Sequence, residues 1–398
     1  MRIIGIVGEY NPFHLGHLAH IEESKKLVGG DCCVVCVMSG NFVQRGDAAI
    51  FNKHSRAHAA VRSGADIVFE LPVPWAMSSA ESFARGAVSL LGSLGVVSHL
   101  SFGSECGDME KLSALAELLI TPGIDELILQ EMASGISYAA ARQAAVQKEI
   151  GSMAELLEAP NNILAVEYLK AIYNMRLNIE PVTMRREGAM HDKPSKGAVR
   201  SASELRGMLE SGRDIKGLVP AAAFEIYTRE TQEGRGPVTM ANLETAVLSR
   251  LRMLGDAAFS AAPDASEGLE NRLSRAAWTE PSLEAVLSAA KTKRYTLARL
   301  RRMLLSVCIG ITASSNVNTP PYARLLAAGE KGRGVLKMIA EKASVPVITK
   351  PASIKELDRD AKEVFALDCA AGDLYVLGYR AKEERRGGTD WRTSPIVY

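Results

Sequence analysis

Apolar residues in the first half of the chain fall into two alternating patterns. Short continuous runs rich in β-branched residues are typical of strands buried on both faces of a parallel sheet. Between them, apolar positions recur every three or four residues, which predicts amphipathic helices. This alternation over roughly the first 220 residues predicts a doubly wound, Rossmann-like α/β sheet. The predicted strands are residues 2–7, 32–38, 67–69, 97–102 and 181–184.

The intervening helices are expected near residues 15–27, 54–62, 79–91 and 201–209, with two or three more between residues 111 and 171. In the first helix, Leu18, Ile21 and Leu27 should face the core. From about Pro220 the pattern is mainly helical, with helices expected at 243–254, 283–290 and 294–307. We therefore divide the chain into an α/β domain, residues 1–220, and a mainly α-helical region, residues 221–398.

Composition places few restrictions on this outline. The 398 residues are 47% hydrophobic and 23% charged, with a net charge of +1, as in an ordinary globular protein. No apolar run approaches the roughly 20 residues that span a bilayer, and no signal-peptide pattern is present. Cys32, Cys33 and Cys36 crowd one predicted strand without a second pair to complete a zinc site, which favours core thiols in a reducing cytoplasm.

Residues 5–17 (GIVGEYNPFHLGH) carry the strongest chemical signal. A strand, an Asn-Pro turn and a helix start place His14 and His17 where open α/β sheets bind ligands and where helix N-termini hold phosphates. Imidazole donors there can stabilise charge on a nucleoside triphosphate, so we predict catalytic roles for both. The alternative is a pair of ordinary core or surface histidines. His20 continues the spacing of three, but His14 lies in the turn, so no metal site is predicted.

Other polar segments follow predicted strand ends or open helices. Residues 38–46 (MSGNFVQRG) suit a wall of the same site, and Gly103 would allow a base or ribose to approach the backbone. A helix that opens with hydroxyls and carries an arginine one turn later resembles a phosphate clamp, although serine caps are common. The clamp residues are Ser201, Ser203 and Arg206.

Residues 291–303 (KTKRYTLARLRRM) hold six basic residues and no acidic one. If the segment is helical, Leu297, Leu300 and Leu304 form a buried stripe and the cations line a different face. Cations interleaved with an aromatic ring suit an RNA backbone and an unstacked base, whereas an ordinary solvated face usually carries mixed charges. The predicted tRNA contacts are Lys291, Lys293, Arg294, Tyr295, Arg299 and Arg302.

Six segments together resemble the bacterial tRNA(Met) cytidine acetate ligases, within the wider H-x-G-H nucleotidylyltransferase-like group. They are GEYNPFHLGH, MSGNFVQRG, FGSE, PNNIL, SASELR and KTKRYTLARLRRM. The resemblance implies that ATP and acetate give acetyl-adenylate and diphosphate. From the chemistry of the triphosphate we also expect magnesium to bridge it. The acetyl group then passes to the N4 amine of the wobble cytidine in elongator tRNA(Met).

The resemblance also implies an ATP site made of one continuous segment and three later positions. Two of these are ambiguous, being Asn161 or Asn162 and Arg185 or Arg186; the third is Gly103. Leu15 replaces an expected polar residue at the variable position of the motif. The continuous segment is Ile6, Val7, Gly8, Glu9, Tyr10, Asn11, Pro12, Phe13, His14, Leu15, Gly16, His17, Leu18, Ala19 and His20.

Two other functions are compatible with parts of this pattern. A small-molecule nucleotidylyltransferase would use the same motif to transfer AMP to a coenzyme precursor, but such enzymes often lack an extra helical region with a basic segment. A non-catalytic RNA-binding protein would not need the imidazole pair. We therefore expect an ATP-dependent, tRNA-modifying ligase that takes acetate and tRNA as substrates and has no membrane partner.

Overall fold

The computed structural model describes residues 1–186, 200–266 and 268–398. Strands and helices in these ranges follow the predicted order closely. The strands are β1 Arg2–Gly8, β2 Cys32–Ser39, β3 Phe42–Val43, β4 Asp47–Ala48, β5 Ile67–Leu71, β6 His99–Ser104, β7 Glu180–Arg185, β8 Ala323–Ala328, β9 Val347–Ile348 and β10 Ile396–Val397.

The helices separate these strands in the first half and dominate the second. In the first half they are α1 Leu15–Val28, α2 Lys53–Arg62, α3 Val73–Ala76, α4 Ala80–Ser93, α5 Met109–Leu118, α6 Ile124–Met132, α7 Tyr138–Ile150 and α8 Pro160–Asn174. In the second they are α9 Ala202–Glu210, α10 Ala221–Gln232, α11 Met240–Met253, α12 Asp256–Ala261, α13 Leu269–Thr279, α14 Leu283–Ala290, α15 Leu297–Ile309, α16 Glu330–Lys342, α17 Arg359–Val376 and α18 Thr389–Arg392. Three 3₁₀ segments, Gly151–Glu158, Pro351–Glu356 and Lys382–Glu384, complete the set. None of the described helices is both long and apolar enough to cross a membrane.

The central sheet has the strand order β10-β8-β5-β2-β1-β6-β7, with β9 beside β8. Strands β5, β2, β1, β6 and β7 are mutually parallel, which confirms the predicted Rossmann-like architecture. Strand β8 pairs with β5 in the antiparallel direction, so the sheet is mixed. Because β1 lies between β2 and β6, its carboxyl end meets theirs at one edge of the sheet.

Helices cover both faces of this sheet, as the continuous apolar strands require. One face packs against α4, α5 and α8, and the other against α1, α2 and α10. Side chains alternate along β2, so Cys33 lies on the first face and Cys36 on the second. Cys32, Cys33 and Cys36 are buried and unpaired, in agreement with core thiols.

The helical region contributes to both its own core and the sheet. Helices α11, α13, α14 and α15 bury apolar residues such as Leu243, Leu273 and Leu300 against α17. Strand β8, however, extends the sheet of the first half. Strands from both sides of the predicted boundary near residue 220 therefore share one sheet. The boundary stays a prediction about which part binds ATP and which part binds tRNA.

Two predicted helix faces were wrong in detail. Leu27 is 52% exposed, because Ile21, Ser24 and Val28 take the inward positions of α1. Ser24 can lie inward because its hydroxyl bonds to the backbone oxygen of His20 and to another hydroxyl. Leu297 is 39% exposed, because α15 starts there, after the N-cap Thr296, rather than at residue 294.

Candidate active site

Two histidine side chains cap the start of α1. His14 is the N-cap, and its Nδ1 accepts a hydrogen bond from the backbone amide of Gly16 at 3.0 Å. The Nδ1 of His17 in turn accepts from the backbone amide of His14 at 3.2 Å. The two rings therefore form a reciprocal capping box in which imidazoles replace the usual hydroxyl and carboxylate. Their ring centroids lie 3.9 Å apart.

This capping fixes the protonation of both rings. A neutral imidazole whose Nδ1 accepts a hydrogen bond carries its proton on Nε2. Burial, helped by the charges of Arg186 and Arg206, lowers the pKa of His14 to about 4. Burial, followed by the neighbouring His14, holds the pKa of His17 well below its usual value. At neutral pH the site thus presents two uncharged Nε2–H donors, and its positive charge comes from arginines.

Aromatic rings and long-range hydrogen bonds hold the preceding turn. The rings of Tyr10 and Phe13 lie 4.9 and 5.5 Å from the His17 ring, centroid to centroid. The amide of Phe13 donates to the hydroxyl of Tyr227 on α10 at 2.9 Å. The side-chain oxygen of Asn11 accepts from the amide of Ile50 at 2.7 Å. The imidazole pair therefore rests on a turn supported from two other segments.

Helix α9 places the predicted phosphate clamp beside this turn. Ser201 is its N-cap, in a capping box with Glu204. Arg206, one turn on, donates to the backbone oxygen of Asn11 at 2.9 Å and to the hydroxyl of Ser203 at 3.0 Å. The structure thus brings Arg206 and Ser203 to the same turn as the imidazoles, as expected from the sequence.

A second cation reaches the imidazoles from the end of β7. Arg186 donates to the side-chain oxygen of Asn161 at 2.9 Å, and its charge lowers the pKa of His20 to about 4, after burial itself. A Cβ at Gly103 would lie 2.8 Å from Cγ of Arg186, so only glycine lets this side chain cross β6. Arg185, the preceding residue, lies against Gly107 instead.

Glu105 was missed by sequence reasoning, although it ends the FGSE segment. Its Oε1 accepts from the side-chain amide of Asn161 at 2.7 Å, and its Oε2 accepts from the backbone amide of Asn162 at 2.8 Å. The buried side chain of Asn162 accepts from the backbone amides of Glu105 and Cys106. Asn162 therefore braces the loop, whereas Asn161 orients Arg186.

His20 lies among hydroxyl groups. Its Nε2 lies 3.2 Å from the hydroxyl of Ser101 on β6, which in turn contacts Ser24 at 2.7 Å. Among the described residues, no group of three or more His, Cys, Asp or Glu side chains is arranged to hold a metal ion.

Arg56 of α2 links the two loops that border the site. It is fully buried and donates to the backbone oxygens of Phe51 at 2.8 Å and Ser39 at 3.1 Å, and also to those of Glu9 and Gly40. A buried guanidinium that satisfies four carbonyls fixes their loops relative to each other. Nothing local in the sequence distinguishes this arginine from a solvated one.

The second of these loops also contacts the basic segment. Gly46 has φ +70°, and a Cβ there would lie 2.7 Å from the carbonyl carbon of Arg301 and against the amide nitrogen of Arg302. Only glycine allows this approach of the loop to the α15 backbone. The basic helix therefore lies beside the edge of the candidate site.

The basic segment differs from its predicted geometry. Lys291 ends α14 and Tyr295 precedes α15, so these residues do not share a helix face with Arg299 and Arg302. Tyr295 is only 6% exposed and lies 5.2 Å beneath the guanidinium of Arg299, so it cannot stack on a base as predicted. Arg299 donates to the backbone oxygen of Asp264 at 3.0 Å, and Arg302 pairs with its carboxylate at 3.2 Å.

The remaining predicted cations, Lys291, Lys293 and Arg294, are exposed. Arg301, absent from the predicted contacts, lies close enough to Asp47 on β4 for its charge to lower that carboxyl's pKa, against the larger effect of burial. The cations therefore do not form the single helix face that was predicted. Lys291, Lys293 and Arg294 precede α15, and Arg301 lies on it.

The chain is similar over its whole length to known proteins. It matches the family described as HIGH Nucleotidyl Transferase over residues 1–390. A tRNA(Met) cytidine acetate ligase of Acetivibrio thermocellus is 37% identical over the full length of both chains. One of Caldanaerobacter subterraneus subsp. tengcongensis is 39% identical over 96% of each. The crystal structure of Thermotoga maritima TmcAL bound with alpha-thio ATP matches with a TM-score of 0.94 at 34% identity, covering 100% of this chain and 99% of that one.

Proposed function

Because the chain belongs to the HIGH nucleotidyl transferase family and, within it, to the tRNA(Met) cytidine acetate ligases, we propose that it activates acetate with ATP and acetylates a cytidine of tRNA(Met). The observation that carries this proposal is the pair of capped, neutral imidazoles at the start of α1, flanked by Arg186 and Arg206. These residues serve the first of two steps.

In the first step an acetate oxygen attacks the α-phosphorus of ATP, and the bond to diphosphate breaks. Negative charge grows on the α-phosphoryl oxygens and on the leaving diphosphate. The Nε2–H groups of His14 and His17 donate to these oxygens, while Arg186 and Arg206 neutralise the triphosphate. A single preorganised donor of this kind contributes about 10²–10³ in rate. Ser201 and Ser203, at the start of α9, supply further phosphate contacts.

Magnesium fits this site as an ion that enters bound to the triphosphate, rather than as one held by protein ligands. Both oxygens of Glu105 already accept hydrogen bonds from Asn161 and Asn162. Mg²⁺ usually keeps several waters and binds through substrate phosphates. It would supply charge neutralisation between phosphoryl groups.

In the second step the N4 amine of the wobble cytidine of elongator tRNA(Met) attacks the acetyl carbonyl, and AMP leaves. The base must leave the anticodon stack to reach the adenylate. Exposed Lys291, Lys293 and Arg294 would contact the RNA backbone beside the site. The approach of α15 to the loop at Gly46 supports delivery of the anticodon there.

A labelled-substrate assay tests the proposal. The protein is incubated with ATP, labelled acetate and bulk tRNA, and the label in tRNA is counted and mapped by nucleoside analysis. Acetylcytidine that requires both ATP and the protein supports the ligase. Diphosphate release that needs a coenzyme precursor rather than acetate would favour a small-molecule nucleotidylyltransferase. RNA binding without ATP turnover would refute both enzymes.

A further inference from the structure

Glu9 is the first residue after β1 and belongs to the first of the two loops that border the site, where its side chain contacts the second loop. Its side chain is only partly buried. Its Oε1 accepts a hydrogen bond from the backbone amide of Gln44 at 2.8 Å. Its Oε2 has no hydrogen-bond partner among the described residues. One oxygen is therefore fixed by the protein, and none of the residues that the structure describes occupies the other.

The neighbours of Glu9 connect it to the imidazole pair on one side and to α15 on the other. Arg206 is a charged neighbour of both Glu9 and His14. The loop whose amide holds Glu9 continues to Gly46, where it touches α15. A nucleobase that arrived past α15 to react beside the imidazoles would therefore pass this carboxylate.

Burial, against the surrounding charges, favours a Glu9 carboxylate of increased basicity. Burial raises its pKa above the usual value. The hydrogen bond from Gln44 and the guanidinium groups of Arg206, Arg56 and Arg45 act in the opposite direction. Such a group stays available as a base while accepting a proton more readily than an exposed glutamate.

Acyl transfer to cytidine needs such a proton acceptor. The N4 lone pair is delocalised into the ring, so the amine becomes acidic only as its bond to the carbonyl carbon forms. The imidazoles cannot take this proton on Nδ1, because the Nδ1 atoms of His14 and His17 already accept backbone hydrogen bonds. Their Nε2 atoms carry protons.

We propose that Glu9 is the general base of the acetyl-transfer step. As the cytidine N4 bonds to the acetyl carbon, the bond from that carbon to the AMP oxygen breaks and AMP leaves with the electron pair. The N4 proton passes to Oε2 of Glu9 and from there to solvent. This inference rests on the proposed function and assigns a role within its second step.

The test separates the two steps in wild type and Glu9→Gln. Adenylation is followed as acetate-dependent exchange of diphosphate into ATP. Transfer is followed in a single turnover from chemically prepared acetyl-adenylate to tRNA(Met). The glutamine keeps the oxygen that accepts from Gln44 but cannot take a proton. The transfer rate constant should fall by about 10²–10⁴-fold. The fold-loss in the adenylation rate should be less than one tenth of the fold-loss in transfer.

Asp47→Asn is the matched control. Asp47 is also a carboxyl whose pKa burial raises and Arg301 and Arg206 lower. Its Oδ1 likewise accepts from a backbone amide, that of Ala48, but Asp47 lies on β4 rather than at the carboxyl end of β1. It should lower the two rates by similar factors. A transfer loss in Glu9→Gln no larger than its adenylation loss, or a selective transfer loss in Asp47→Asn instead, would overturn the proposal.

Glu9→Asp provides a second route if Glu9→Gln does not fold. It keeps the base but withdraws it by one methylene, so its transfer should fall more than its adenylation; equal losses would count against Glu9. Failure of the proposed function is distinct from either result, because wild type itself would then show no acetate-dependent exchange and no transfer.

Discussion

Replacing His17 with alanine should remove two separate interactions of one ring. The Nε2–H donor to the phosphoryl oxygens is lost, which should reduce the adenylation rate by about 10²–10³-fold. The Nδ1 acceptor for the amide of His14 is also lost, leaving a helix-start N–H without its cap. Loss of such a cap costs about 1 kcal/mol of stability. The variant should therefore be folded, slightly destabilised and almost inactive in adenylation.

Glutamine at the same position separates these effects. A glutamine three residues after an N-cap can accept from the cap amide as the histidine does. His17→Gln should thus regain the urea midpoint of wild type while adenylation, measured as acetate-dependent diphosphate exchange, stays well below it. If His17→Ala exchanged diphosphate at a rate within threefold of wild type, the assignment of His17 as a phosphoryl donor would be refuted. Full recovery by glutamine would show that the ring acts only as a cap.

Three further outcomes are expected. His14 has a folded-state pKa of about 4 against 6.5 when unfolded, so the unfolded state binds more protons between these values and stability must fall as pH drops through them. The loss is at most about 3 kcal/mol; urea midpoints near pH 7 and pH 5 should show it, and His14→Gln should be less sensitive. Gly46→Ala should add about 1–2 kcal/mol of left-handed strain and displace α15, lowering acetyl transfer more than adenylation. Gly212→Ala, with the same φ of +70° but open space around it, controls for strain alone. Lys293→Ala should reduce the slope of log affinity for tRNA against log salt by about one; an unchanged slope in filter binding would remove Lys293 from the RNA surface.

The local parts of the site could be predicted from sequence because their signals are local. Strand β1, the turn after it and the capped helix α1 together span only 27 residues. The spacing of His14 and His17 alone indicates which side chains meet at the helix start. The same holds for α9, where Ser203 and Arg206 lie one turn apart.

The parts that were missed depend on contacts between distant residues. Arg56 and Glu105 bind backbone amides or carbonyls of other segments, and no periodicity reports that. The face predicted for the basic segment assumed one continuous helix, whereas Thr296 caps α15 after Tyr295. Charge alone also did not reveal that Asp264 pairs with Arg302, because the acid lies in a different loop.

The antiparallel pairing of β8 with β5 has a consequence for biosynthesis. During translation, the ribosome emits β5 some 250 residues before its neighbour in the sheet. Until then the nascent chain exposes unpaired amides and carbonyls along an apolar strand, a template for aggregation. The sheet that carries the nucleotide pocket is therefore completed only after β8 has been synthesised. Fragments that end before residue 323 should require chaperones to avoid aggregation.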